Sequence, residues 1–123
     1  MSISGWFYST AWHTQNDNIL FYTNAIKLYT NVTHILLSVY ANGVNNIVSF
    51  PKTLLSSGWS NIVGTYSNGI LKIYLNGVLR GVLDLGFDYE IVYQATEPFV
   101  FGNLYSGSKY FTGRIDEIRY WGR

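Results

Sequence analysis

Asn76-Gly77 stands between two runs of β-branched, aromatic and aliphatic residues, Ile70–Leu75 and Val78–Leu83. Both central positions of a type I′ turn need positive φ, so Asn-Gly in this setting is the strongest short-range signal for a β-hairpin. Upstream, Trp59–Tyr66 reads as a strand and Ser67-Asn68-Gly69 as the turn that leads from it into the hairpin. A strict two-residue loop at Asn76-Gly77 sets Ile73 opposite Arg80 on one face, unless a bulge shifts the ladder.

The same period continues along the chain. In Ser2–Ser9, residues Ser4, Trp6 and Tyr8 fall on one face and Ile3, Gly5 and Phe7 on the other. Short strands follow at Ile19–Tyr22, Ile26–Tyr29, His34–Ala41 and Ile47–Phe50, the last stopped by Pro51, which cannot donate to a ladder. His13–Asn18 is a polar turn cluster, Leu85–Pro98 is irregular, and Phe99–Gly102 is a short strand. Asn103–Gly113 is a Tyr/Ser/Gly-rich loop before a final strand, Arg114–Trp121. No window has the 3.6-residue period of a helix. Short strands at turn spacings of roughly 8–12 residues indicate one all-β sandwich or barrel spanning residues 1–123.

Composition narrows the function classes. Aromatics are 18% of the 123 residues and charged residues 12%, so surface polarity comes from hydroxyls, amides and backbone. The net charge of +1 is spread over single Lys and Arg residues. No basic stripe tracks a phosphate backbone, and no nucleic-acid partner is expected. With no cysteine, disulfide frameworks, thiolate metal sites and cysteine nucleophiles are all excluded. No run reaches the ~18–20 apolar residues of a membrane-spanning helix, so no membrane insertion is expected. The first residues already read as a strand and lack the basic head and apolar run of a signal peptide. An extracellular or virion-surface location is expected: either export is handled elsewhere, or this is a piece of a longer chain, or the protein reaches the outside as part of an assembly such as a virion.

Three segments, in order, resemble the laminin-G-like / concanavalin-A-like lectin-glucanase superfamily. They are Ile3-Ser4-Gly5-Trp6-Phe7-Tyr8, the stretch from Gly58-Trp59 through Tyr74-Leu75-Asn76-Gly77-Val78-Leu79, and Phe111-Thr112-Gly113-Arg114-Ile115-Asp116-Glu117-Ile118-Arg119-Tyr120. The resemblance implies an antiparallel two-sheet jelly-roll sandwich with its last strand central in a sheet. Trp6, Trp59 and Asp116 are then structural, Trp59 anchoring a strand between the sheets, and Asn76 and Gly77 fix the hairpin. Gly113 lets the backbone turn sharply into the last strand. Family members carry further strands before the first segment, so a sandwich shortened at the N-terminus is expected. That implies a minimal sandwich, a piece of a longer chain, or an edge completed by another subunit; the third, a homo-oligomer or assembly component, is preferred.

Enzymes of that superfamily, the retaining β-glucanases, carry an E-x-D-x-x-E run that sets two carboxylates about 5–5.5 Å apart. Nothing here matches, and no catalytic residue or enzyme activity is expected. The nearest acids are Asp88-Tyr89-Glu90, in the irregular stretch, and Asp116-Glu117, whose neighbours point to opposite faces, with Glu117 and Arg119 on one face. His13 and His34 stand alone. No cofactor is expected; calcium is the one alternative, through Asp17 or through Asp88 with Glu90. Trp12, Tyr105 and Tyr110 fall in loops with Asn103, Ser106 and Ser108, where aromatic faces stack on sugars while amides and hydroxyls take sugar hydroxyls. The expected function is a non-enzymatic recognition or adhesion module for carbohydrate, on a cell or virion surface. The alternative is a structural decoration or assembly protein, a capsid or tail component whose sandwich is completed by a protein partner.

Overall fold

A computed structural model of the chain describes residues 1–12, 18–23, 25–89, 91, 99–102 and 111–121. The strands in chain order are β1 (Ser2–Ser9), β2 (Ile19–Tyr22), β3 (Ile26–Thr30), β4 (His34–Ala41) and β5 (Val44–Pro51), then β6 (Gly58–Ser67), β7 (Ile70–Leu75), β8 (Val78–Asp84), β9 (Val100–Phe101) and β10 (Arg114–Trp121). A 3-10 turn, Lys52–Leu54, links β5 towards β6. All pairings are antiparallel. They build two five-stranded sheets, β10-β1-β6-β7-β8 and β5-β4-β3-β2-β9, so the expected two-sheet sandwich is present.

Alternation decides which side of each strand meets the other sheet. In β1, Ile3 and Phe7 are fully buried, and in β6 and β7 Ile62, Leu71 and Ile73 join them. Facing them are Ile26, Leu28, Ile35, Leu37 and Phe50 from the second sheet. Glycines set how closely the layers approach. A Cβ on Gly64 would lie 2.6 Å from Leu37 Cδ2, and one on Gly81 would lie 2.7 Å from Val48 Cγ2. Neither position has room for a side chain, so the first sheet presents backbone where the second presents its branched side chains.

The Asn76-Gly77 hairpin forms with φ of 50° and 81°. Asn76 does more than turn the chain: its Oδ1 accepts the Asn61 N–H at 2.8 Å, tying the hairpin tip to β6. The strict register is corrected by a bulge. Tyr74 pairs with Leu79 and Ile73 with Gly81, leaving Arg80 as the extra residue. The physical reason is the core: Ile73 is fully buried, and the register with Arg80 opposite it would turn a guanidinium inward.

A second bulge lies in β10. Trp6 pairs with Asp116 and Ser4 with Arg119, so Glu117 and Ile118 together oppose Gly5. Glu117 has a φ of 50°, and the Asp116 carboxylate accepts its N–H at 2.8 Å. Alternation therefore fails here: Asp116, Glu117 and Arg119 are all exposed while Ile115 and Ile118 turn towards the core, and no ion pair joins Glu117 to Arg119. Asp116 keeps a structural role as the bond that holds the bulge. Contrary to the implied order, β10 lies at an edge of its sheet among the described residues, not at the centre. Gly113, at its start, passes so close to the Tyr8 carbonyl of β1 that a Cβ would collide with it.

Candidate functional site

The outward positions of β1, β6 and β10 form one surface. Trp6 and Tyr8 of β1 point away from the core, since Ile3, Gly5 and Phe7 take the inward phase. Trp59 of β6 pairs with Tyr8, and Arg114 of β10 pairs with Tyr8 from the other side. The Tyr8 and Trp59 rings meet with centroids 5.4 Å apart at 58°, and the Arg114 guanidinium carbon lies 5.3 Å from the centre of the Tyr8 ring. One rung along, Trp6 stands between Asn61 and Asp116. At the far end Trp121 stands opposite Ser2. Three of the chain's four tryptophans are thus on this face, with 39% of Trp6, 43% of Trp59 and 64% of Trp121 exposed.

This corrects the expectation that Trp59 anchors a strand between the sheets. The inward positions beside them, Gly5 and Ser60, are the small ones, and the indoles have no space on that side. A signal for the outward placement was present in the sequence. Ser4 shares the phase of Trp6, and Asn61 and Thr65 share that of Trp59, and such polar companions mark a solvent-facing row.

A groove of about 390 Å³ opens at the rim where β1 ends and β6 begins. Thr10 and Trp12 line it from one side, Val32 and Thr33 from the β3–β4 turn, and Lys52, Thr53, Leu55, Ser56 and Ser57 from the segment after β5. Hydrogen bonds internal to the loops fix its walls. Asn31 Oδ1 accepts the N–H groups of Thr33 and His34 at 2.9 and 2.7 Å, and the Lys52 N–H donates to the Thr33 carbonyl at 2.8 Å. Lys52 is 8% exposed, and burial pulls its ammonium pKa below the ordinary lysine value. A smaller polar recess of about 220 Å³ lies on the outer side of the other sheet, against Lys27, Ser38 and Tyr40.

Of the expected sugar-binding residues, Trp12 is a packed residue and not a loop platform. Only 6% of it is exposed, and its ring lies against Phe111 with centroids 5.3 Å apart. Ala11 and Trp12 follow β1 closely, so the indole is drawn under the rim of the sandwich, where it belongs to the core cluster. Asn103, Tyr105, Ser106 and Tyr110 lie outside the described residues, as do His13, Asp17 and Glu90. Asp88 is exposed. Among the described residues no three His, Asp or Glu side chains gather into a metal-binding group, and no helix is long and apolar enough to cross a membrane.

A laminin G family model, described as concanavalin A-like lectin/glucanases superfamily, matches residues 1–123. No curated protein matches the sequence. Among solved structures, a candidate carbohydrate-binding protein from Bacteroides ovatus has a similar fold, with a TM-score of 0.70 at 22% identity. The likeness covers 98% of this chain and 36% of that one, so the chain spans about a third of the length of that protein.

Proposed function

The chain belongs to the concanavalin A-like lectin/glucanases superfamily, and on that premise we propose that it is a carbohydrate-binding module whose platform is the outer face of the β10-β1-β6 sheet. One observation carries this reading: Trp6, Trp59 and Trp121 are exposed together on a single sheet face. Large exposed apolar patches on a folded chain mark interaction surfaces. Flat indole faces suit the C–H faces of sugar rings, while Ser4, Asn61 and Asp116 offer donors and acceptors for hydroxyls along the same rows. A binder needs no carboxylate pair, and the two acids nearest the platform, Asp116 and Glu117, are tied to each other through a backbone hydrogen bond at a bulge.

The test is a glycan array probed with the wild-type chain and with Trp6→Ala and Trp59→Ala, each confirmed folded by its far-UV spectrum. Stacking contributes on the order of 0.5–1.5 kcal/mol per aromatic pair, so each variant should weaken binding by up to about tenfold. Binding left unchanged by both substitutions would remove the platform from consideration. The same exposed face favours a second reading, in which it is covered by another subunit and the chain serves assembly. Light scattering separates the two, because a dimer that Trp59→Ala dissociates, with no glycan bound, supports assembly.

A further inference from the structure

The rim groove lies one residue beyond the end of the platform, and the platform reading does not use it. Ser9 and Gly58 form the last rung of the β1–β6 ladder, with Tyr8 and Trp59 on the rung before. Thr10 and Ser57, the next residue on each strand, already line the groove. Platform and groove are therefore continuous along the same two chains.

The lining is that of a small amphiphilic ligand. Hydroxyls of Thr10, Thr33, Thr53, Ser56 and Ser57 supply both donors and acceptors, while Val32 and Leu55 supply apolar wall. At about 390 Å³ the groove sits at the low end of the ~300–1,000 Å³ range for small-molecule sites, suited to a sugar ring or two and not to a chain. Trp12 also lines it, with an indole Nε1 that is buried and has no hydrogen-bond partner among the described residues. The loop hydrogen bonds around Asn31 and Lys52 pre-set these groups, which lowers the ordering cost of binding.

We propose that this groove is a second binding site, which takes the terminal pyranose of a glycan whose following residues lie over the Tyr8–Trp59 platform. The proposal rests on the carbohydrate reading above and adds to it the recognition of a chain end. Chain-end selection follows from the difference in size: a groove of about 390 Å³ holds a ring or two at the end of a chain, whereas an open sheet face admits any stretch of chain.

Titration with a set of methyl pyranosides (glucoside, mannoside, galactoside and N-acetylglucosaminide), followed by amide and indole NMR shifts, tests this. At least one pyranoside at tens-of-millimolar concentration should move the Thr53, Ser56 and Ser57 amides. Ser56→Trp, at an exposed position whose new side chain fills the groove, should abolish those shifts while leaving the Trp6 and Trp59 indole signals responsive to oligosaccharide. With array-positive oligosaccharides, Ser56→Trp should reduce affinity about tenfold only for chains whose end is free, and Trp59→Ala should reduce it for all. Shifts confined to the platform indoles, or a Ser56→Trp affinity equal to wild type, would overturn the groove site and leave the platform standing. No response at either place would overturn both.

Discussion

The two faces of the β10-β1-β6-β7-β8 sheet divide side-chain size in opposite senses. Towards the core, three positions carry glycine, at Gly5, Gly64 and Gly81, each pressed by a side chain from across the interface or from the neighbouring strand. Towards solvent, the same sheet carries Trp6, Tyr8, Trp59 and Trp121. Hydrophobic burial alone would put the indoles inside, because they remove the most apolar area from water. Packing decides otherwise: Leu37 and Val48 from the opposite sheet already fill the space that large inward side chains would need. A large apolar residue left outside by packing, three times on one face, is the imprint of a surface that meets something else.

The largest test of this contrast lies in two adjacent residues. Phe7 is fully buried and packs edge-on against Phe111 at 6.2 Å, whereas Trp6 looks outward. Phe7→Ala should cost about 3–5 kcal/mol of stability, as other large-to-small core changes do. Trp6→Ala should cost less than about 1 kcal/mol, within the range of surface substitutions, and act on binding instead. Urea midpoints for the two variants decide the matter; similar losses would mean that the outward face is part of the core.

Next in size is the close approach itself. Gly64→Ala places a methyl group 2.6 and 2.8 Å from the two Cδ atoms of Leu37, which is itself fully buried. Overpacking of this kind typically costs about 1–3 kcal/mol. Gly64→Ala combined with Leu37→Ala should recover part of that loss, because the removed side chain is the one in the way. A double variant no better than the sum of the singles would show that backbone strain, not this contact, requires the glycine.

The strands themselves were legible because alternation and turn residues are local. Asn68-Gly69 and Asn76-Gly77 announce their turns, and positive φ at all four bears this out. The bulges at Arg80 and Glu117 were not legible, since a ladder shift depends on which residue opposes which, and that is set by the core on the other side of the sheet. Trp59 was misplaced for the same reason: its phase was readable beside Asn61 and Thr65, but the crowding opposite Gly64 comes from Leu37, more than twenty residues away in sequence. The rim groove was invisible for a further reason. Its walls come from three separate turns, and only the folded chain brings Thr10, Thr33 and Ser56 to one place.

A smaller loss is expected from the hairpin that announces the sheet. Asn76→Gly keeps the backbone freedom that the turn needs but removes the acceptor for the Asn61 N–H. Asn61 lies on the platform row, where its side-chain amide also donates to the Gly5 carbonyl of β1 at 3.2 Å. The lost bond should cost about 1 kcal/mol, read as a lower urea midpoint at unchanged slope. Asn76→Ala should cost more, since a methyl side chain gains nothing at a φ of 50° and the same bond is gone.

The smallest effect is one of pH, and it sits on the core side. Tyr66 is 5% exposed and its hydroxyl donates to the Tyr89 carbonyl at 2.6 Å. Burial, reinforced by the Asp88 carboxylate, raises its pKa above the ordinary tyrosine value. The folded state therefore holds the phenol proton more tightly than the unfolded chain does. Its contribution to stability is complete below the unfolded value near pH ~10 and is lost as pH climbs through the higher folded value. Tyr66→Phe should lower the urea midpoint slightly at neutral pH, by the loss of one hydrogen bond, and flatten the decline above pH ~10. An alkaline decline that Tyr66→Phe leaves unchanged would mean that this phenol carries no such cost, while a flattened decline places the desolvated phenol on the side where the sheets meet.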